Sequence, residues 1–497
     1  MALKGASELP QVDVGIDFGT TNSAIAYRAP GSGRVTVRGP LPSVGAWSND
    51  RIVFGTEALR LLRSGDRAVH PLRDIKMQLG GGGLVAGQWP IDAVDAAAGL
   101  FEHIRESIAA TVPSEDIGNA VIGTPVRVSR EHRVALRRAA QLAGFVDLRL
   151  VYEPTAALIG ARDEAYLGRR GLVLVVDWGG GTLDVAVIHV VDGTFRELSV
   201  YGDTNDLGGS SMDEALTRTV LASAPSAAKA VDAFPQGFFR LMEEVEEEKI
   251  DILSDLDETG GKARSIVPEW LDYELRLAPD LVMDVVRSFA GQAAGRIRGM
   301  LTAAGVLPSD ITQILFAGGA CNSRLVRDQI RAAFPHAEIL SGNDPQLLTA
   351  HGCGRLSGRD FGVELASDFV VREADDSLRV LLERGLSVDL DAYRRFDFRV
   401  TDADATEAHF DFGIHHDPAT GRSPGGAEDG FQSLDQLHVP VARATTPRGH
   451  DVPDIVRLFV GVDHNLTVAV HGEGSRLRQS ANKYLSAVPL AVRVSGA

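Results

Sequence analysis

The feature that most constrains this chain is a duplicated hairpin. VDVGIDFGTTNSAIAY at Val12–Tyr27 is echoed by VLVVDWGGGTLDVAVI at Val173–Ile188. In each copy an apolar strand ends in aspartate, a Gly/Thr turn follows, and a second apolar strand returns. One such segment alone reads as an ordinary turn, but two of them, each flanked by apolar strands, read as a pair built for one purpose. Their glycines let backbone N–H groups approach a polyanion closely, and their threonine hydroxyls add donors, which is what a triphosphate requires. Asp17 and Asp177 close the two leading strands, where a pair of carboxylates can hold Mg²⁺ through its waters. Asp184, just beyond Thr182, is placed to orient an attacking water or the metal's shell. No G-x-x-x-x-G-K-[ST] occurs, which excludes a Walker-type phosphate loop.

The rest of the chain alternates strands and helices around these hairpins. After the strand IGTPVRV, the segment SREHRVALRRAAQLAGF has a Ser129 cap, helical apolar spacing and a Gly144 stop. LVYEPTAALIGA predicts a strand, a turn at Pro154 and a helix. From about Leu221 to Lys262 the pattern is helical, Leu281–Gly305 predicts a long helix, and ITQILFAGG a strand. At 497 residues the chain exceeds the ~250–300 at which one core stops growing. After about Phe361 it changes to short alternating strands, LRVLLERGLSVDL, RRFDFRV, HFDFGI, LHVPVA and IVRLFVGVDHNLTVAVHG, with Asp463, His464 and Asn465 at a tight turn. HHDPATGRSPGGAEDG, His415–Gly430, is expected to be an exposed loop, and the adjacent His415 and His416 lack a third metal ligand at fixed spacing. The expected architecture is α/β and two-lobed over residues 1–360, followed by a small all-β domain over 361–497.

Charge and composition narrow the partners. Fifty Lys and Arg against 67 Asp and Glu give a net charge of −17, which opposes a nucleic-acid backbone and requires any polyanion site to be built locally. No apolar run approaches the ~20 residues of a spanning helix. The start, MALKGASELPQVDV, lacks a basic region, an apolar stretch and a cleavage site, so a cytoplasmic location is expected. Cys321 and Cys353 are too few for a disulfide framework and are expected to be buried hydrophobes.

IDFGTTNS and VDWGGGTLDV resemble the two phosphate motifs of the actin-like (ribonuclease H-like) ATPase superfamily, and ILFAGGACNSRLV is similar to its adenosine motif. Within that superfamily the chain most resembles the seventy-kilodalton heat-shock, DnaK-type chaperones. DIKMQLG is similar to their segment carrying a catalytic lysine, here Lys76. YGDTNDLGG resembles their GDTHLGG with one residue inserted, and EEEKIDILS their adenosine-contacting helix.

The resemblance implies slow ATP hydrolysis with ATP or ADP and Mg²⁺ as ligands. It assigns Gly19, Thr20, Thr21, Asn22, Gly179, Gly180, Gly181 and Thr182 to the phosphates, Gly208 and Gly209 likewise to cofactor binding, and Asp17 and Asp177 to Mg²⁺. Lys76, Thr182 and Asp184 fall to hydrolysis. Glu246, Lys249 and Ser323 or Arg324, with Gly318 and Gly319, fall to adenosine, Asp344 to cofactor binding, and Pro125, Arg133 and Glu153 to a relay toward the β domain. Implied partners are a polypeptide client or dedicated protein partner, a J-domain protein and a nucleotide exchange factor, with neither nucleic acid nor membrane.

Three departures accompany the resemblance. The adenosine loop carries an extra residue, GGACNSR; GRDFGVELASDF replaces the family's leucine-rich linker; and, with an end at Ala497, no helical lid is expected over the β-sandwich that resembles the substrate-binding domain. Rival readings are a nucleotide-gated scaffold with little turnover and a filament-forming actin relative.

Overall fold

A computed structural model describes residues 12–28, 34–113, 116–161, 171–203, 207–259, 262–340, 344–390, 393–400, 402, 404–415, 430–442, 452, 454–477 and 479–495. Thr204, Asn205 and Asp206 of the YGDTNDLGG motif and residues 416–429 of the expected loop lie outside them.

Each duplicated hairpin seeds a sheet. Val12–Asp17 and Asn22–Arg28 pair antiparallel with Asp17 opposite Ala24, and Val12–Asp17 also pairs parallel with Ile117–Thr124. Leu148–Tyr152 and Val35–Pro42 complete this five-stranded sheet. Gly171–Trp178 and Leu183–Val191 pair with Asp177 opposite Asp184. They form the centre of a seven-stranded sheet with Gln313–Ala317 and Glu338–Ile339 on one side and Thr194–Asp203 on the other. In both hairpins the strand interiors are buried, as the near-continuous apolar runs require. The architecture is that of a two-lobed actin-like ATPase followed by a β-sandwich.

Two helices, Glu153–Ala161 and Leu348–Ser357, cross between the sheets. Their approach is close enough to exclude a side chain. A Cβ on Gly352 would lie 1.8 Å from the Ala156 carbonyl oxygen, and one on Gly15 would lie 1.9 Å from the Gly354 nitrogen. The helix Arg130–Leu142 begins as its sequence predicts, with the Ser129 hydroxyl accepting from the His132 N–H at 3.1 Å. Leu281–Gly305 is likewise helical over Pro279–Ala303, with Gly305 beyond its end at φ +60°. The run expected to be helical from Leu221 to Lys262 is divided into the end of Gly209–Ser223, then Pro225–Asp232 and Gly237–Thr259. Pro225 and Pro235 lack the amide donors that a continuous helix needs at those positions. In LRVLLERGLSVDL only Leu378–Leu382 is a strand; Val388–Leu390 forms a 3-10 turn.

Beyond residue 365, two four-stranded antiparallel sheets face each other. One runs Leu378–Leu382, Asp368–Arg372, Glu407–His415, Phe431–Pro440; the other runs Tyr393–Arg399, Ile455–Asp463, Thr467–Gly474, Ser480–Leu485. Phe369, Phe412, Leu458 and Val470 belong to the core between them, and Phe398 packs edge-on against Phe410.

The expected division at residue 360 does not end the second lobe's sheet. Phe361–Leu365 pairs with the late strand Leu490–Val494, which in turn pairs with Thr194–Arg196 of the lobe. A polar cluster reinforces this seam. Arg133 is fully buried and donates to the carbonyls of Pro125 (3.3 Å) and Val126 (2.6 Å) on its own lobe. Across the seam it donates to those of Asn465 (3.2 Å), Leu466 (2.9 Å) and Ser486 (3.0 Å). The Tyr152 hydroxyl donates to the Ser486 carbonyl at 2.7 Å, and Arg130 pairs with Asp463 at 2.9 Å.

Glu197 of the lobe accepts from the Leu490 N–H at 2.8 Å and from the Thr155 hydroxyl. Burial pushes its carboxyl up to about 7 against these hydrogen bonds and the pull of Arg133. The folded protein therefore keeps a proton that the unfolded chain loses between its ordinary value and pH 7, so this residue's contribution falls as pH rises through that window. Between pH 5 and 8 the wild type is expected to lose about 2 kcal/mol of unfolding free energy relative to Glu197→Gln. Denaturant unfolding of both proteins at the two pH values checks this; parallel curves would contradict it.

Candidate functional site

The two hairpin turns meet at the bottom of a cleft of about 350 Å³ between the lobes, within the ~300–1,000 Å³ range of small-molecule sites. A Cβ on Gly181 would lie 2.4 Å from the Thr20 hydroxyl, and one on Gly180 would lie 1.9 Å from that of Thr21. The floor is thus two glycine turns pressed together with threonine hydroxyls between them. Gly19, Thr20, Thr21, Asn22, Gly179, Gly180, Gly181, Thr182 and Gly209 line it. Gly208 lies behind this surface, its Cβ position 2.2 Å from the Gly180 carbonyl oxygen, which makes it a support of the turn.

Asp17, Asp177 and Glu153 also line the cleft, with Lys76 among them. Lys76 is 3% exposed and reaches from a 3-10 turn, Ile75–Gln78, to place its ammonium 2.7 Å from Glu153 Oε1. Burial opposes its charge, but Glu153, Asp17 and Asp184 together outweigh that and raise its pKa. Asp184 is fully buried and is not among the residues lining the cleft; its Oδ1 accepts from the Val126 N–H at 2.8 Å. The Thr349 hydroxyl donates to Asp177 Oδ2 at 3.2 Å. Burial and the neighbouring Glu153 raise Asp17 to about 7, Asp184 to about 8, and Asp177 well above the usual carboxylate range. Three buried carboxylates and the half-buried Asp17 thus surround one ammonium. A donor set of hard oxygens with excess negative charge fits a magnesium ion, which would relieve that repulsion.

The upper cleft separates the remaining expected residues. Glu246, Lys249, Gly318, Gly319 and Ser323 line it. Gly318 has φ +80°, and a Cβ there would lie 2.4 Å from the Trp178 carbonyl oxygen, so only glycine fits. Lys249 is paired with Asp213 at 2.6 Å, both nearly fully buried, rather than forming a surface pair with Glu246. Arg324 points away and pairs with Asp328 on the surface at 3.3 Å. Asp344 accepts from the Gln346 N–H at 3.0 Å and thereby caps the turn that brings Gln346 to the cleft. Pro125 and Arg133 lie outside the cleft on the path to the β-sandwich, whereas Glu153 lies within it.

The arms of the lobes touch above the cleft. Arg63 pairs with Glu247 and Arg73 with Glu243, while Arg240 donates to the carbonyls of Leu62, Asp66 (3.0 Å) and Val69 (2.7 Å).

A family model described as "Hsp70 protein" matches residues 85–390, more than half of the chain. The chain belongs to the Hsp70 family. It is 26% identical over 360 residues to the chaperone protein DnaK of Mycoplasmoides gallisepticum, covering 69% of this chain and 59% of that protein. It is 30% identical over 374 residues to DnaK of Cenarchaeum symbiosum, covering 72% and 56%. To a chaperone protein HscA homolog of Pasteurella multocida it is 25% identical over 395 residues, covering 74% and 59%. It is a divergent Hsp70, and it spans less than two thirds of the length of these relatives.

Several cleft residues of this Hsp70 escaped the sequence reading. Ile250 and Leu253 line the upper wall beside Glu246 and Lys249, and the spacing 246, 249, 250, 253 is one face of a helix, so they were recoverable. Met212, Val286, Val326 and the ion-pair partner Asp213 had no local signal. Gly208 supplies the test of the floor. Gly208→Ala forces backbone against backbone, whereas Gly180→Ala meets side chains alone, the Thr21 hydroxyl at 1.9 Å, the Thr21 Cβ at 2.9 Å and the Ser210 hydroxyl at 3.6 Å. Although Gly208 is outside the cleft, its substitution is expected to weaken ATP binding by calorimetry at least about tenfold more than Gly180→Ala, a difference of ~1.4 kcal/mol. The reverse order would contradict the packing described.

Proposed function

We propose that this Hsp70-family chain binds Mg·ATP in the interlobe cleft and hydrolyses it slowly, using the cycle to bias polypeptide or partner binding by its β-sandwich. The observation that carries the reading is Lys76, whose buried ammonium is held on Glu153 among Asp17, Asp177 and Asp184 at the meeting of the two turns. A lysine fixed there stabilises a transferring phosphoryl group as charge develops on it.

The glycine turns and Thr20, Thr21 and Thr182 hold the phosphates through backbone and hydroxyl donors. Asp17 and Asp177 would hold magnesium, which neutralises phosphate charge when bound. Asp184 orients the attacking water, and Glu153 fixes the lysine. Gly318, Gly319, Ser323 and the helix face bearing Glu246 and Lys249 receive adenosine. Residues 1–360 are proposed as the nucleotide-binding unit, since every residue lining the cleft falls between Asp17 and Gln346. A J-domain protein and an exchange factor are the partners that the family resemblance implies. A cytoplasmic location fits this reading; among the described residues no helix is long and apolar enough to cross a membrane.

The nucleotide-gated scaffold remains a second reading because the Arg133 cluster and the strand Leu490–Val494 bind the β-sandwich to the lobes over a buried seam. Single-turnover hydrolysis separates the two. The wild type is expected to convert bound ATP to ADP, and Lys76→Ala to keep binding ATP while its rate falls about 10²–10³-fold, the loss typical of removing one transition-state donor. A wild type that binds ATP without turnover favours the scaffold, and an unimpaired Lys76→Ala removes the catalytic role.

A further inference from the structure

A second cluster of ligand-type side chains stands on the β-sandwich, far in sequence from the cleft. The strands Glu407–His415 and Phe431–Pro440 pair so that His409 lies directly opposite His438, with Glu407 two residues before His409 on the same face. Ala408, Phe410, Leu437 and Val439 alternate toward the core, which leaves the two imidazoles and the carboxylate exposed together. The ring centroids of His409 and His438 are 4.2 Å apart, and His438 Nδ1 lies 3.6 Å from Glu407 Oε2. One ligand atom from each of the three lies within 4.8 Å of the others, and no other group of this kind occurs among the described residues.

We propose that Glu407, His409 and His438 form a binding site for a first-row divalent cation of the zinc type. Two imidazoles and a carboxylate suit zinc, copper or nickel and are poorly suited to magnesium, which prefers oxygen ligands. Ligand atoms on a tetrahedral zinc with bonds of ~2.0–2.1 Å stand about 3.4 Å apart. The pair His438–Glu407 is already close to that separation, and rotation of exposed side chains closes the rest. A water completes the tetrahedron on the solvent side. Phe431–Pro440 is the edge strand of its sheet, so a bound ion staples that edge to its neighbour.

Zinc chloride titrated by calorimetry into tag-free full-length protein tests the site, with thermal unfolding as a second readout. The wild type is expected to bind one zinc in the micromolar range or tighter and to unfold at a higher temperature with zinc present. Losing a ligand costs no less than losing an outer-shell partner, so His409→Ala, His438→Ala and Glu407→Gln are each expected to weaken binding by at least about 10-fold. They should also abolish the thermal shift. His415→Ala, at the far end of the strand, is expected to leave both unchanged. Wild type without one-to-one binding, variants that bind as it does, or a loss caused by His415→Ala would each overturn the proposal.

Discussion

The arrangement depends on an unbalanced charge. Asp17, Glu153, Asp177 and Asp184 are gathered in a buried space with a single ammonium, that of Lys76. Ionised groups out of water are costly unless paired, and here the pairing is incomplete. Burial accordingly pushes two of the carboxylates up to about 7 and 8. Such a cluster stores the incentive to take up a cation, and a phosphate-bound magnesium supplies it with an anion already attached. The fold sets this up by ending two apolar strands in aspartate and pressing their glycine turns together.

The same geometry extends toward the β-sandwich. The helix Arg130–Leu142 carries His132 and Arg133 side by side. A Cβ on Gly80, just past the Lys76 turn, would lie 2.3 Å from the His132 nitrogen. Burial, with Lys76 and Arg133 nearby, depresses the His132 imidazole to about 3, so it stays neutral between the two cations. Arg133 then spends its guanidinium on carbonyls from both sides of the seam. One helix therefore touches the lysine turn and the sandwich together.

Much of this was legible in the sequence because it rests on local chemistry. Strand–Asp–Gly/Thr turns, the Ser129 cap and the glycine stops announce themselves within a few residues, and the cleft floor is made of them. What escaped depends on distant partners. Asp213 is an unremarked helix residue until Lys249 reaches it, and Arg133, singled out only by the family resemblance, is by its own chemistry one of several arginines on its helix until three carbonyls from residues 465–486 arrive. The strand Leu490–Val494 carried no sign that it would enter the lobe's sheet. His409 and His438 are unrelated in sequence and become neighbours only through strand register.

Calorimetric titration of ATP into the full chain, with and without magnesium, tests the central claim most directly. If the buried carboxylates require the cation, ATP binds tightly with magnesium and far more weakly when it is chelated, and Asp177→Asn narrows that difference. Equal binding with and without magnesium, or no binding in either case, would contradict the account.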